Sequence, residues 1–487
     1  MSGLLHNEDC TNFFYCQDFP PGKAGEITDR YVDVLAEAGV TVLLCNTNAR
    51  KTNYRSEVWE TFWDGYDPDG PDDQPFLAGL PKKDMKTWRK LVGNMLEVHR
   101  QGVDYPGRII QRCRHHGISP WITLRMNDVH CNDNLNHPFH GRIFKESQFF
   151  RKGHPGYYAR ALDYAHPEVR DHFKALIAET LERYDIDGLE LDFMREPYLF
   201  SAGKEQEGRK ILSQWLCGVR QLVEEAAARR GHPVKLGVRV PSDPQVALGL
   251  GLDAPAWAKD GLIDLVVATP RWATLHYDIP LREWHSLLGN RVTLAGGLEV
   301  RLQACRGGPF RIVTPEDATG AAVAVLSGGA DVVYLFNYFQ HLWVPPKYQR
   351  TLNSFSSLDK LQELPRRHAV TCREVVVPGE AYKPPLPASG RALSFDLPLG
   401  PPPPAAWTVE AMIGLAGSGA ESAPPTVSVN GIACELRTTE TPKNGDLQLS
   451  YSVPLNAISG ENTDVIAVSA ADNNPIKVLC VEVEIAP

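Results

Sequence analysis

The stretch Tyr184–Pro197, YDIDGLELDFMREP, contains the pattern on which the fold prediction depends. Its apolar residues at positions 189, 191 and 193 alternate with Glu190 and Asp192, which predicts a strand with one apolar and one acidic face. If the apolar face packs on helices, both carboxylates lie on the opposite face of the sheet, which would be the inner face of a barrel. Buried carboxylates are costly unless they are paired or used, so these two are candidates for functional groups.

Around this strand, short apolar runs alternate with amphipathic helical patterns up to about residue 345. The predicted helices are Glu26–Ala38, Thr87–Gln101, Gly107–His116, residues 166–184, Gly208–Arg229, and a short one with Thr314 as its N-cap. The predicted strands are Thr11–Cys16, Val40–Cys45, Trp121–Leu124, Gly188–Phe193, Val234–Val240, Leu262–Ala268, Arg291–Ala295 and Ala330–Phe336.

Eight such repeats predict a (β/α)₈ TIM barrel, assigned to residues 1–365. The alternative is an open doubly wound sheet, which is disfavoured because no glycine-rich dinucleotide turn follows the first strand. After residue 365 helical periodicity stops, and short alternating runs follow proline-rich segments. Residues 366–487 are therefore predicted to be a β-sandwich domain, with a hairpin turn at Asn430-Gly431.

Composition excludes several classes of partner. The net charge of −9 disfavours nucleic acid, and no apolar stretch is long enough to predict a membrane span. The ten cysteines are scattered without a CxxC pair, which indicates neither a disulfide framework nor a zinc site. No cofactor is predicted and the oligomeric state is left open. The free thiols and the lack of a signal-like segment favour the cytoplasm, or the periplasm if a leader is missing from this sequence.

A barrel of this kind carries its active site at the C-terminal ends of its strands, where this sequence is polar. The first run offers His6, Asn7 and Asp9 before it, or Gln17 and Asp18 after it, depending on register. Hydroxyl-binding side chains beside aromatic ones suit a sugar ring. The candidate substrate-binding residues are His6, Asn46, Asn48, Arg125, Asn127, Asp128, His130, Arg195, Arg239, Arg271, Trp272, Asn337 and Tyr338.

Asp192 and Glu299 are the predicted catalytic pair, with Glu190 as a third candidate. Glu299 ends the seventh run, where Gly296 and Gly297 let the backbone turn inward. Runs four and seven lie in opposite parts of an eight-strand ring, so the two carboxylates are expected to face each other across a sugar, as glycosidases require. Which one is the acid stays open. Alternatively, Glu190 forms an internal ion pair with an arginine, and Glu299 is a solvated loop residue.

The arginines at several strand ends predict an anionic group on the substrate, such as a uronate or a sulfate. The alternative is that they only neutralise barrel carboxylates. The loop 128–140 also carries Asp128, His130 and His137, so a metal-assisted sugar isomerase or deacetylase is a second hypothesis, although a loop bordering the substrate is favoured. A non-catalytic carbohydrate-binding barrel is a third.

The segment YDIDGLELDFMREP, with ALDYAHPEVRDH (161–172) and residues 125–130, resembles the glycoside-hydrolase-like TIM barrels, which include uncharacterised bacterial members. The resemblance spans about residues 1–345. It implies hydrolysis of a glycosidic bond in an oligosaccharide or polysaccharide, with Asp192 among the catalytic groups. The residues that match the motif are Tyr184, Asp185, Asp187, Gly188, Asp192, Phe193 and Arg195.

Overall fold

The structure is a computed structural model, and it describes residues 3–271, 273–343, 345–417, 424–440, 446–460, 463–472 and 474–487. The chain divides into two compact units. One comprises Leu5–Val267 and Leu287–Thr293, and is called the first unit below. The second unit comprises Met1–Leu4, Ala268–Ser286 and Leu294–Pro487.

Eight parallel strands close into a barrel in the order β1-β10-β7-β6-β5-β4-β3-β2. They are β1 (Leu4–Asn7), β2 (Val42–Asn46), β3 (Ser119–Arg125), β4 (Gly188–Asp192), β5 (Lys235–Pro241), β6 (Leu265–Thr269), β7 (Thr293–Leu298) and β10 (Val332–Phe336). Two-residue strands β8 (Arg301–Leu302) and β9 (Arg311–Ile312) pair with each other after β7. The predicted TIM barrel is confirmed, and its strands two to eight overlap the predicted runs.

The first strand was predicted wrongly. Residues Asn12–Cys16 form a short helix, α1, and the strand is the earlier segment Leu4–Asn7. The aromatic residues that suggest a strand instead bury against helical neighbours: Phe13 stacks on Tyr105 at 5.0 Å between ring centroids. Asp9 begins this turn, because its Oδ1 accepts hydrogen bonds from the backbone N–H groups of Thr11 (2.8 Å) and Asn12 (3.0 Å).

The other helices are α2 (Ala24–Glu37), α3 (Met85–Arg100), α4 (Tyr105–His116), α5 (Pro167–Arg183), α6 (Glu205–Arg230), α7 (Pro244–Gly249), α8 (Ala254–Lys259), α9 (Leu281–Leu288), α10 (Pro315–Ser327), α11 (Pro345–Ser354) and α12 (Leu358–Gln362). The predicted N-cap of α10 is confirmed: Thr314 and Asp317 form a reciprocal capping box. No helix within the described ranges has the length and apolar character needed to cross a membrane.

Inside the barrel, side chains of β3, β4 and β5 form layers. Lowest is Trp121, whose indole fills the space left by Gly188 and Gly237. A Cβ added to Gly188 would lie 2.2 Å from Trp121 Cε2, so this position has to be glycine while the indole is present. The next layer contains Thr123 and Glu190, which are register partners on β3 and β4. The layer at the C-terminal strand ends is charged and is described below.

The second unit contains two antiparallel sheets that form the predicted β-sandwich. One contains β11 (Arg366–Ala369), β12 (Ala388–Gly390), β14 (Thr408–Leu415), β17 (Glu435–Glu440), β18 (Leu447–Ser452) and β20 (Ile476–Ala486). The other contains β13 (Ala392–Leu397), β15 (Thr426–Val429), β16 (Ile432–Ala433) and β19 (Asp464–Ser469). Asn430 and Gly431 have positive φ angles of 49° and 80° and join β15 to β16, which confirms the predicted turn. The ten cysteines are all free thiols.

Candidate functional site

Three charged side chains lie next to one another at the C-terminal ends of neighbouring strands. Arg125 on β3 is the register partner of Asp192 on β4, and Asp192 is the partner of Arg239 on β5. Partners in parallel strands point to the same face, so the charges alternate across the sheet. Arg239 Nη1 donates to both oxygens of Asp192, at 3.0 and 3.1 Å, and both side chains are at most 2% exposed.

The Asp192 carboxylate is fixed by its own backbone as well as by Arg239. Its Oδ1 accepts hydrogen bonds from the N–H groups of Met194 (2.9 Å) and Arg195 (3.2 Å), which begin a 3₁₀ turn at residues 193–195. These contacts orient the carboxylate and complete its N-cap role. They also bring Arg195 to the same end of the barrel strands.

Arg125 bridges two further carboxylates. Its Nη2 lies 2.5 Å from Asp9 Oδ2, and its Nη1 lies 3.3 Å from Asp128 Oδ2. Burial raises the pKa of Asp9, but the guanidinium groups of Arg125 and Arg195 outweigh it and hold that pKa well below the usual 3.8. Burial also opposes ionisation of Asp128, and the neighbouring His130, Arg125 and Arg195 again keep the carboxyl pKa low.

His130 links Asp128 to Arg195. Its Nδ1 lies 2.7 Å from Asp128 Oδ1, and its Nε2 lies 3.2 Å from Arg195 Nη2. Because arginine has no acceptor, Nε2 accepts from Arg195 and Nδ1 carries the proton donated to Asp128. The His130 side chain is 39% exposed, far more than Asp128 at 1%. We call Asp9, Asp128, Asp192, Arg125, Arg195 and Arg239 the charged cluster.

Glu190 lies one layer below the charged cluster. Its Oε1 accepts hydrogen bonds from Thr123 Oγ1 at 2.6 Å and from Asn7 Nδ2 at 3.2 Å, and it is fully buried. Neutral donors from β1 and β3 thus bind this carboxyl group inside the barrel. The position supports a role in holding strands together beneath the site.

Three asparagines predicted to bind substrate form hydrogen bonds with the backbone. Asn46 accepts from Cys10 N–H (3.2 Å) and donates to the Thr123 carbonyl (2.9 Å). Asn48 bonds both the N–H and the carbonyl of Arg125, at 2.9 and 3.1 Å. Asn127 does the same for Leu162, at 3.3 and 2.8 Å. Their amides therefore support the strand ends and the following loop.

His6 lies on the face of β1 opposite Asn7, because neighbouring strand residues alternate. Glu8 follows on that same outer side, where its carboxyl group accepts a hydrogen bond from the Tyr105 hydroxyl of α4. Burial raises the pKa of Glu8 to about 8, although the bond to Tyr105 lowers it. The structure thus places His6 between the barrel and its helices, away from the charged cluster.

The remaining predicted residues belong to the second unit. Glu299 directly follows β7 and is fully buried; its backbone carbonyl accepts from Tyr338 Oη at 3.2 Å. Arg271 forms an ion pair with Glu374 at 3.3 Å. Asn337 is half-buried with a positive φ of 61°. Trp272 lies outside the described residues.

The sequence did not decide whether Asp9 lies at the C-terminal end of the first strand, because that strand was predicted at residues 11–16. A strand at Leu4–Asn7 puts Asp9 at the C-terminal end and on the same face as Asn7. Tyr157 was not proposed at all. It lies in the loop between β3 and α5, its side chain is 45% exposed, and its phenol interacts electrostatically with Arg195.

No cluster of three His, Cys, Asp or Glu side chains suited to a metal ion occurs in the part of the chain that the structure describes. Burial lowers the pKa of His137 to about 4 and that of His140 to about 3. His140 Nδ1 accepts a hydrogen bond from Arg50 Nη1 at 2.7 Å, and its Nε2 donates to the carbonyls of Cys131 and Asn134 within the loop.

A cavity of about 920 Å³ lies elsewhere in the first unit, along the outer sides of α5 and α6. It is lined by residues such as Glu179, Leu181 and Leu222, and none of its lining residues belongs to the charged cluster. Its charged residue Glu179 already accepts from Ser56 Oγ (2.6 Å) and Tyr54 Oη (3.0 Å).

The fold and the charged cluster define the chain as a (β/α)₈-barrel protein with a C-terminal β-sandwich. No family model matches the sequence, and no curated protein matches it. Similar solved structures include the PgaB (BpsB) glycoside hydrolase domain from Bordetella bronchiseptica, with 12% identity, a TM-score of 0.44, and coverage of 74% of this chain and 99% of that chain.

Two further similar structures cover nearly the whole chain. The maltogenic α-amylase AmyB from Thermotoga neapolitana has 10% identity and a TM-score of 0.40, covering 98% of this chain and 97% of that chain. A putative α-L-fucosidase from Bacteroides thetaiotaomicron has 10% identity and a TM-score of 0.36, covering 99% and 90%. The fold is defined by this chain's own strand order.

Proposed function

We propose that the protein hydrolyses glycosidic bonds, with Asp192 as a carboxylate of the reaction. The observation that carries the proposal is the position of Asp192 at the C-terminal end of β4, where TIM barrels place catalytic residues. It lies among charged groups contributed by β1, β3 and β5 and the turns that follow them. Glycoside hydrolysis needs such a fixed carboxylate beside the bond that is cleaved.

The contacts of Asp192 favour one of the two carboxylate roles. A carboxylate that accepts from a guanidinium and from two backbone N–H groups suits an anion, which is either the nucleophile or the general base. A proton donor would instead sit in an apolar environment. Glu299 stays the candidate from the sequence for the second carboxylate, and Glu190 is better suited to supporting β1 and β3.

The test measures sugar release by the full-length chain from a panel of nitrophenyl glycosides and unsubstituted oligosaccharides. On a cleaved substrate, Asp192→Asn is expected to lower kcat by several orders of magnitude with an unchanged circular dichroism spectrum. Asp187→Asn is the matched control: Asp187 immediately precedes the other end of β4, where it pairs with Arg114 at 2.6 Å on the surface. It should retain activity within about threefold, since exposed ion pairs contribute little.

Near-normal turnover by the Asp192 variant would remove this residue from the mechanism. The same assay with Glu299→Gln tests the second carboxylate. Oligosaccharides that bind to the wild-type chain but are not cleaved by it would indicate a carbohydrate-binding barrel without hydrolase activity.

A further inference from the structure

The charges of the charged cluster compensate one another. Arg125 lies between Asp9 and Asp128, and Arg239 pairs with Asp192. These five side chains are at most 14% exposed, so their pairing occurs where water screens charge poorly. An incoming anion would have to compete with a carboxylate that each arginine already holds.

The other two arginines offered as anion binders are also compensated. Arg195 acts on both Asp9 and Asp128, and it donates to His130. Arg271, in the second unit, pairs with Glu374 at 3.3 Å, and Glu374 also accepts the Ala273 N–H at 3.0 Å. Arg125, Arg239 and Arg271 thus each pair with a carboxylate of the protein, and Arg195 interacts electrostatically with two of them.

The Asp9 carboxylate and the His130 imidazole are more exposed than Arg125 and Arg239, and Arg195 is half-buried. The Asp9 side chain is 14% exposed, more than Asp128 or Asp192, whereas its partner Arg125 is 4% exposed. His130 is 39% exposed, and its Nδ1 contacts Asp128 while its Nε2 contacts Arg195. The partly exposed Asp9 carboxylate can accept hydrogen bonds from hydroxyl groups, and it repels carboxylates and sulfates.

Tyr157 adds an aromatic surface beside these groups. It is 45% exposed, and its ring is held edge-on by Tyr158 at 5.6 Å, which in turn contacts Tyr198 at 4.9 Å. Its loop is connected by hydrogen bonds to the segment that carries Asp128: Asn132 donates to the Ala159 carbonyl, and Arg50 donates to both Asn132 and the Asp128 carbonyl. The Tyr157 phenol also interacts electrostatically with Arg195. A supported, half-exposed ring beside hydrogen-bonding groups suits the apolar face of a sugar.

We infer that the charged cluster takes an uncharged sugar, stacked on Tyr157, and not a uronate or a sulfated sugar. The inference rests on the proposed function, which it makes more specific by naming the class of substrate. Arg125 and Arg239, which pair with protein carboxylates, keep Asp9, Asp128 and Asp192 in place. The sugar is recognised by its hydroxyl groups and its apolar face.

The test compares matched neutral and anionic sugars: methyl glucoside against methyl glucuronide, which differ by one charge, and oligogalactosides against oligogalacturonides, which differ by one charge per residue. Binding to the wild-type chain is measured by calorimetry and by saturation-transfer NMR at 20 and 200 mM NaCl. The neutral member of a pair should bind at least about tenfold more tightly, with an affinity that salt leaves unchanged. Tighter or salt-sensitive binding of the uronate, or binding of neither member, overturns the inference.

Tyr157 is tested separately. Tyr157→Ala should weaken binding of the neutral sugar about tenfold or more, and Tyr157→Phe should retain it because the ring remains. Tyr15→Ala is the matched control, since Tyr15 on α1 is exposed to a similar extent, at 47%, and takes no part in the site. Equal binding by the Tyr157 and Tyr15 alanine variants refutes the stacking role.

The outcomes separate this inference from the proposed function. Selective binding of neutral sugars without cleavage of any glycoside supports the inference and contradicts hydrolysis. Cleavage of a uronide through Asp192 supports hydrolysis and overturns the inference.

Discussion

Replacing Arg239 with methionine tests whether Arg239 and Asp192 form one energetic unit. The two side chains share contacts of 3.0 and 3.1 Å and are 1% and 2% exposed, so removing the guanidinium leaves a buried carboxylate with only part of its compensation. Breaking such a buried pair costs about 3–5 kcal/mol. Because Arg125 also acts on Asp192 and softens the loss, we expect about 3 kcal/mol for Arg239→Met.

The experiment is a double-mutant cycle measured by urea unfolding. Asp192→Asn should also destabilise the protein, because Arg239 then loses its counterion. The double variant should be less destabilised than the sum of the single variants by at least about 2 kcal/mol. Arg114→Met with Asp187→Asn is the control cycle: this ion pair, at 2.6 Å, is 41% and 28% exposed, and its coupling should stay below about 1 kcal/mol.

Additive effects in the Arg239–Asp192 cycle would refute the reasoning, because they would mean that the two groups do not depend on each other for compensation. Equal coupling energies in the two cycles would show that the buried Arg239–Asp192 pair is no stronger than the exposed Arg114–Asp187 pair.

Two further predictions concern the layers around the site. Burial raises the pKa of Glu8 from 4.5 to about 8, so between these pH values unfolding releases a proton and the free energy of unfolding falls as pH rises. Glu8→Gln should remove this dependence, which amounts to about 1.4 kcal/mol per pH unit, as measured by urea unfolding at pH 5.5 and 7.5. The same pH dependence in the wild type and the variant would contradict the prediction. Gly188→Ala should destabilise the protein by about 1–3 kcal/mol, because the added methyl group overlaps with Trp121. Adding Trp121→Leu should restore part of this loss. A change below about 0.5 kcal/mol for Gly188→Ala would show that the surrounding side chains shift to make room for the methyl group.

Much of the architecture was predictable because the apolar residues of most strands and helices recur with the period of that structure. The alternation of Glu190 and Asp192 with apolar residues predicted both the strand and the face on which the carboxylates lie. The first strand was not predictable by the same rule. Leu4–Asn7 is only four residues long. The aromatic segment that follows it is helical: Asp9 accepts the N–H groups of Thr11 and Asn12 at its start, and Phe13 packs on Tyr105.

The sequence indicated which residue types lie at the strand ends, but not which of these side chains form ion pairs or hydrogen bonds with one another. The sequence placed Arg125 and Arg239 at strand ends, yet which carboxylate each one holds depends on the register of β3, β4 and β5. Asn46 and Asn48 were predicted to bind substrate because their side chains are polar and well placed. Their bonds to the backbone across β3 depend on tertiary structure that no local pattern encodes.

The indole of Trp121 fills the volume left by the missing side chains of Gly188 and Gly237. Its size therefore constrains what evolution can place on two neighbouring strands. In homologous chains, a small residue at the tryptophan position should accompany larger residues at the two glycine positions. The three corresponding alignment columns are expected to covary, even though their residues lie more than a hundred positions apart at the extremes.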